Sequence, residues 1–391
     1  MPYRLNELVL PVTEPPIPEV KTWAGQREKN IDLPLLDVSR AVPDYPPAEG
    51  LRTHLADLVM RDETSFYTDV PGMPALRAAT ATHLNAEYGG DLTSSHVAIT
   101  AGCNQAFCLA MSALAGPGDE VILPLPYYFN YQMWLAMQGI SVVPLPFDDQ
   151  TGGLPDPAMA AGLVTGKTKA VVLVTPNNPT GAEYPEATLN AFYDLAEAQG
   201  IALITDETYK DFRTASGTPH TLFQRDKWED TFIHLYSFSK VYSLTGYRVG
   251  SITCGPRLMA EVSKLMDCVA ICAPQIGQHA ALYGLETLSP WRAEKRQLMQ
   301  DRRTALQDAF QANDLRYELV SSGAFFGYVR HPFSDMDASA VARRLAVDIG
   351  VLALPGSAFG PDQQRYLRFA FANLDANLMV ELVSRLKMSQ A

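Results

Sequence analysis

Cysteine is scarce. The five residues Cys103, Cys108, Cys254, Cys268 and Cys272 in a chain of 391 make an odd count with no Cys-x-x-Cys pair, which gives no basis for a disulfide framework or a zinc ribbon and points to a reducing compartment. Long apolar runs are missing as well: no stretch reaches about 18 residues, and the N-terminus has no basic segment leading into an apolar one. The chain is therefore expected to be cytoplasmic, neither secreted nor membrane-spanning. Positive charge is in deficit, with 31 Lys and Arg against 43 Asp and Glu, so no broad surface for nucleic acid or anionic lipid is expected, while local sites for small anions are compatible with it.

Several motifs are also absent. The seven histidines (54, 83, 96, 220, 234, 279 and 331) show no metal-ligand spacing, and no metal site is expected. Cys268 and Cys272 lie one helical turn apart with no third ligand nearby and read as core packing. No Gly-x-Ser-x-Gly elbow and no Gly-x-Gly-x-x-Gly turn is present, which leaves a hydrolase triad and a dinucleotide fold unsupported. Gly162 to Thr168 imitates a phosphate loop, but it has three residues between its glycines where the motif needs four, and it precedes its strand.

What is present reads as a globular protein of two or three domains, with 47% hydrophobic and 19% charged residues. The first fifty residues carry nine prolines, a density that leaves little room for helix or central strand and predicts an extended arm lying on another surface. Helices are expected near 50–61 and from Pro74 to Tyr88, the latter ending at Gly89-Gly90. From Val97 onward short apolar strands alternate with helical stretches: 97–100, 120–123, 140–144, 169–175, 201–205, 231–236 and 249–254 read as strands, with helices at 104–115, 129–138 and 185–199. This rhythm predicts an α/β domain with a mostly parallel sheet flanked by helices, whose ligands sit at the C-terminal strand ends. After helical segments at 257–286, interrupted by Pro274, and about 290–313, shorter strands at 315–320, 325–330 and 366–371 with a helix near 337–347 predict a smaller α+β domain. The expected division is an N-terminal arm and small-domain segment at 1–50, a large cofactor-binding domain at 51–287 and a small domain at 288–391.

The strand ends carry the chemistry. Ser237-Phe238-Ser239-Lys240 follows the apolar run 231–236, with Arg248 eight positions after the lysine. A lysine delivered there can bond covalently to a carbonyl while the hydroxyls and the arginine hold an anion; alone, the same tetrapeptide reads as a solvated loop lysine, and the rest of the chain has to decide. Thr100-Ala101-Gly102-Cys103-Asn104 turns from strand to helix, and backbone N–H groups at a helix start can cradle a phosphate. Pro126-Tyr127-Tyr128-Phe129-Asn130-Tyr131 offers aromatic faces either for stacking on a flat ring or for packing under a loop. Thr175-Pro176-Asn177-Asn178-Pro179-Thr180-Gly181 fixes a loop that presents an asparagine amide. Asp206-Glu207-Thr208-Tyr209 places a carboxylate where an apolar strand ends, and such a group needs a partner.

Together these motifs resemble, in order and from roughly Ser65 to Ala372, the class I/II aminotransferases of the pyridoxal-phosphate-dependent fold type I, the aspartate aminotransferase-like family. The resemblance implies pyridoxal 5'-phosphate as cofactor, with Lys240 forming a Schiff base with it, Asp206 pairing with its pyridine nitrogen, and Asn178 and Tyr209 bonding its phenolic oxygen. Tyr128 matches the ring-stacking aromatic. The phosphate would be held by the backbone after Gly102, at Cys103 and Asn104, by Ser237, Ser239 and Arg248, and by Tyr67 from the other subunit of a homodimer. Arg368, in Tyr366-Leu367-Arg368-Phe369-Ala370, matches the arginine that binds the substrate α-carboxylate, a task suited to a forked guanidinium.

The implied activity is transfer of an amino group between an L-amino acid and a 2-oxo acid by a ping-pong mechanism, with Lys240 also the general base. A β-eliminating C-S lyase on the same fold is the alternative, because cofactor-binding motifs do not fix which bond breaks. A DNA-binding regulator built on the domain is disfavoured, since the proline-rich first fifty residues cannot supply a helix-turn-helix. One departure from the family concerns substrate choice: in Leu36 to Asp44, Ala41 stands where glycine is usual near the substrate, and Arg40 precedes it. The alanine methyl narrows the pocket in this reading, and Arg40 either faces solvent or reaches the distal carboxylate of aspartate or glutamate.

Overall fold

A computed structural model describes residues 3–27 and 33–390. Its centre is a sheet of seven strands: β1 (Val97–Thr100), β2 (Glu120–Pro124), β3 (Ser141–Leu145), β4 (Thr168–Val174), β5 (Ala202–Asp206), β6 (Phe232–Ser237) and β7 (Gly250–Thr253). The spatial order is β1-β7-β6-β5-β4-β2-β3; every pairing is parallel except those of β7, which runs against β1 and β6. The four β4 to β7 strands are almost wholly buried and read as continuous apolar runs, because helices cover both faces. Six strands thus deliver their C-terminal ends to one edge. The reversed β7 brings its N-terminal end there, with Ser237 opposite Gly250.

The expected helices form at Glu49–Val59, Pro74–Tyr88, Cys103–Leu114, Phe129–Met137, Glu186–Gln199, Pro256–Ala270, Gln275–Thr287, Ser289–Phe310 and Ala338–Ile349. Two more, Pro157–Leu163 and Leu378–Met388, have no counterpart in the sequence reading. The break at Pro274 falls where expected, because proline cannot donate the intrahelical bond.

The smaller domain contains an antiparallel sheet of Leu354–Pro355, Tyr366–Ala370, Phe326–Arg330 and Glu318–Gly323, in that spatial order. The short strand Leu36–Asp37 pairs in parallel with Val351–Leu352. Val20, Trp23, Leu36 and Val38 join Leu345, Leu367, Phe369 and Leu382 in one core, so the N-terminal segment is built into this domain.

The arm needs a correction. Residues Pro16–Gly25 are helical, contrary to the expectation of an extended segment throughout. Pro15 occupies the cap and Pro16 the first helical position, where a missing N–H costs nothing and a fixed φ favours the turn. Val20 and Trp23 then bury one face of this helix. Of the remainder of the arm, residues 1–2 and 28–32 lie outside the described residues.

Candidate active site

At the strand-end edge a cavity of about 340 Å³ is lined by Lys240, Asp206, Tyr209, Asn178, Tyr128, Cys103, Asn104, Ser237, Ser239, Arg248, Arg368, Arg40 and Ala41. Residues read from eight separate sequence stretches thus meet around one space. Gly102 adjoins it without lining it; its φ of +90° calls for glycine, and a Cβ there would displace the Arg248 guanidinium. Tyr67 is not brought in by its own chain and stands exposed.

Lys240 Nζ donates to the Ala41 carbonyl at 2.7 Å. Burial, reinforced by the positive charges of Arg368 and Arg248, pulls its pKa down to about 8 against the opposing pull of Asp206. The neutral, nucleophilic form of this amine is therefore more populated near physiological pH than that of an ordinary lysine. The Asp206 carboxylate ends β5 with two bonds in place: Oδ1 accepts from the Thr208 N–H at 2.9 Å and Oδ2 from the Tyr131 hydroxyl at 2.5 Å. The sequence places Tyr131 in the aromatic run Pro126 to Tyr131 without assigning it a role. Burial and the nearby Asp206 charge hold its hydroxyl well above the usual phenol range, so it remains a donor. Its ring stacks on Phe107 with centroids 3.8 Å apart, which fixes the hydroxyl's direction.

The two asparagines of the loop after β4 divide their tasks. Asn177 locks the loop, its Oδ1 accepting from the Thr180 N–H and hydroxyl at 3.0 Å each. Asn178 faces the cavity and accepts from Arg368 Nη1 at 3.1 Å. Arg368 Nη2 donates to the Ser39 carbonyl, and its Nε has no partner among the described residues. The guanidinium lies 5.1 Å from the Phe326 ring centroid and 5.3 Å from that of Phe359. Burial lowers its pKa to about 10, which still leaves a full positive charge without a carboxylate partner.

Across the cavity, Ser237 Oγ accepts from the Ser239 N–H at 3.2 Å, while Ser239 Oγ is buried with no partner. Arg248 donates to the carbonyls of Thr245 at 3.0 Å and Ala101 at 3.2 Å, using a left-handed backbone with φ of 52°. Beside them starts the helix Cys103–Leu114, where the N–H groups of Gln105 and Ala106 bond the Gly102 carbonyl at 3.1 and 3.3 Å and those of Cys103 and Asn104 make no backbone bond among the described residues. Gly250 permits this closeness, because a Cβ there would lie 2.7 Å from both Cys103 N and the Tyr236 carbonyl. An unpartnered hydroxyl, a guanidinium and free helix N–H groups fit a phosphate, and Asp206 fits a protonated ring nitrogen.

Ile17 and Lys21, one turn apart on the helix of the arm, also line the cavity. The sequence reading missed both because it expected no helix there; the i, i+4 spacing was the available signal. Among the described residues no cluster of three or more metal-ligating side chains forms, and no helix is long and apolar enough to cross a membrane.

A lysine-centred site at the strand ends of a mostly parallel sheet defines the class: an α/β enzyme that binds a phosphorylated aldehyde. The chain belongs to the family described as aminotransferase class I and II, whose sequence profile matches residues 34–386. An aromatic aminotransferase of Arabidopsis thaliana is 30% identical over 358 residues, 90% of this chain and 89% of that protein. An arginine–pyruvate transaminase of Pseudomonas aeruginosa is 30% identical over 366 residues, covering 93% and 91%. The solved aspartate aminotransferase of Thermotoga maritima, 25% identical, superposes with a TM-score of 0.90 over 99% of this chain and 100% of that one. The protein is a transaminase; aminotransferases of its family act on amino-acid and 2-oxo-acid substrates and use pyridoxal phosphate.

Proposed function

We propose that the chain transfers an amino group from an L-amino acid to a 2-oxo acid in a ping-pong reaction, with Lys240 Nζ as the point of covalent attachment for pyridoxal phosphate. When bound, the cofactor supplies an aldehyde and an electron-accepting pyridine ring. Asp206, oriented by Tyr131 and Thr208, would hold the ring nitrogen in its protonated form. Asn178 and Tyr209 would bond the phenolic oxygen, and Tyr128 would stack on the ring. Ser237, Ser239, Arg248 and the N–H groups of Cys103 and Asn104 would receive the phosphate. Arg368 would fork onto the substrate α-carboxylate, with Asn178 and Ala41 shaping the space beside it.

Lys240, once its amine is free, would take the proton from the substrate Cα and deliver it, on the same face, to the carbon that had been the cofactor's aldehyde. The observation that carries this reading is the half-buried Lys240, bonded to the Ala41 carbonyl in the one cavity that it shares with Asp206 and with Arg368, which has no carboxylate partner among the described residues, its pKa lowered to about 8. The relatives named above are all transaminases, which does not favour the C-S lyase alternative. We also propose a cytoplasmic homodimer in which the exposed Tyr67 completes the phosphate site of the partner subunit, and a division into an arm at 1–50, a large domain at 51–287 and a small domain at 288–391.

The test is a single-turnover half-reaction followed by cofactor absorbance across the twenty amino acids. Wild-type protein should convert at least one of them to its 2-oxo acid, and Lys240→Ala should not. Conversion by Lys240→Ala at the wild-type rate would remove the lysine from its proposed role.

A further inference from the structure

A second cavity, of about 700 Å³, shares no residue with the Lys240 site. Its walls come from the helix Pro74–Tyr88 (His83, Glu87), the turn after Tyr209 (Lys210, Asp211), the loop 213–217 and the helix Ser289–Phe310 (Arg292, Arg296). The four cations Lys210, Arg213, Arg292 and Arg296 face the two carboxylates of Glu87 and Asp211. Two positive charges are left over, in a chain whose net charge is -12.

The carboxylates are consumed by the inner cations. Lys210, its side chain fully buried, pairs with Glu87 and lies 3.6 Å from Asp211. Arg292 Nη1 reaches Asp211 at 3.3 Å and His83 Nε2 at 3.1 Å, yet its Nε is buried with no partner among the described residues. The outer two arginines pair with no carboxylate among the described residues. Arg213 Nη1 donates to the Gly217 carbonyl at 3.2 Å, and Arg296 Nη2 donates to the Ala215 carbonyl at 2.6 Å. Each guanidinium has five N–H donors, so most of theirs remain free. Arg292 and Arg296 stand one turn apart on the same helix face.

Apart from Ala86 and Ala293 the lining is polar, with Thr214, Ser216, Gln297 and Gln300 between the charges. Such a wall does not suit an apolar ligand. We propose that this cavity is a second ligand site that binds a small oxyanion carrying two or more negative charges. Forked guanidinium groups match planar carboxylate and phosphate oxygens, and their charge surplus needs a polyvalent partner. A dicarboxylate and inorganic phosphate share this chemistry. The assignment is independent of the chemistry proposed at Lys240.

The test is calorimetric titration of the holoenzyme with inorganic phosphate and, separately, with succinate. Wild type and Arg368→Ala should bind at least one of them with equal affinity. Binding of succinate alone identifies a dicarboxylate site, and binding of phosphate alone a phosphate site. The double variant Arg213→Ala/Arg296→Ala should bind about a hundred-fold more weakly, roughly ten-fold per arginine, with the amino-acid half-reaction unchanged. Because Arg296 also straps the loop, Ser216→Glu provides a second variant that keeps every strap and adds a repelling charge at the rim; it should weaken binding by about ten-fold. The proposal is overturned if wild type binds neither anion up to about 10 mM. It is equally overturned if binding disappears in Arg368→Ala but survives in both cavity variants, since the anion would then occupy the active site.

Discussion

Arg368→Leu isolates the contribution of one buried charge to substrate recognition. In the wild type the guanidinium spends two of its donors on Asn178 Oδ1 and the Ser39 carbonyl and keeps an unpartnered Nε. Enough N–H groups remain for a two-pronged bond to a carboxylate. A hydrogen bond to a charged group contributes about 1.5–3 kcal/mol, so losing two costs roughly 3–6 kcal/mol, or about two to four decades in kcat/KM. Arg368→Lys keeps the charge and loses the fork, and should fall between the two. The assay is the half-reaction rate for an amino acid and for the primary amine that lacks its carboxylate. The penalty should appear in full with the amino acid and vanish with the amine, while cofactor absorbance stays unchanged. A loss below ten-fold with the amino acid, or an equal loss with both compounds, would refute the assignment of the α-carboxylate to Arg368.

Four further outcomes follow from named contacts. Lys240 is held at about 8 against a usual 10.5, so cofactor-free protein carries an unfavourable buried charge below about pH 8 that is relieved as pH rises toward the unfolded value; stability should climb by roughly 3 kcal/mol across that window. Chemical denaturation of Lys240→Met should lack this rise, and an identical slope in both proteins would contradict the shift. Tyr131→Phe deletes one of the two bonds that orient Asp206; it should slow the half-reaction about ten-fold without altering the circular dichroism spectrum, and an unchanged rate would show the carboxylate to be held without it. Refolding Lys240→Ala together with Tyr67→Ala should create mixed dimers with one intact site and restore activity above either parent, which would not happen if each site were complete within one chain. Arg40→Ala and Lys21→Ala, which change two cations lining the cavity, should each lower kcat/KM for aspartate relative to phenylalanine; an unchanged ratio assigns both side chains to solvent.

The large sheet was legible because its information is local. Each of β4, β5 and β6 is an apolar run that gives way to polar residues, and in a parallel sheet ligands gather at that edge; hydrophobicity thus marks the strand ends near Asn178, Asp206 and Lys240, while their roles came only from the family resemblance of the motifs. What stayed hidden depends on the phase of one element against another. Whether Tyr131 is packing or a hydrogen-bond donor turns on how the helix Phe129–Met137 is rotated toward β5, whose Asp206 is 75 positions away. Lys21 faces the substrate cavity only because Val20 and Trp23 bury the neighbouring face of a helix whose prolines argued against its existence. The second cavity is the extreme case, since Glu87, Arg213 and Arg296 carry no shared motif and meet through three unrelated elements. The decisive features of both sites are also negative ones: Ser239 Oγ, Arg368 Nε and Arg292 Nε are buried donors with no acceptor among the described residues. Folded proteins rarely leave such groups unmet, because desolvating a donor without replacing its bond costs about 1–3 kcal/mol. A missing partner exists only relative to everything packed around it, so no sequence pattern records it, and the direction in which it points is the most specific statement the structure makes about what each cavity is built to hold.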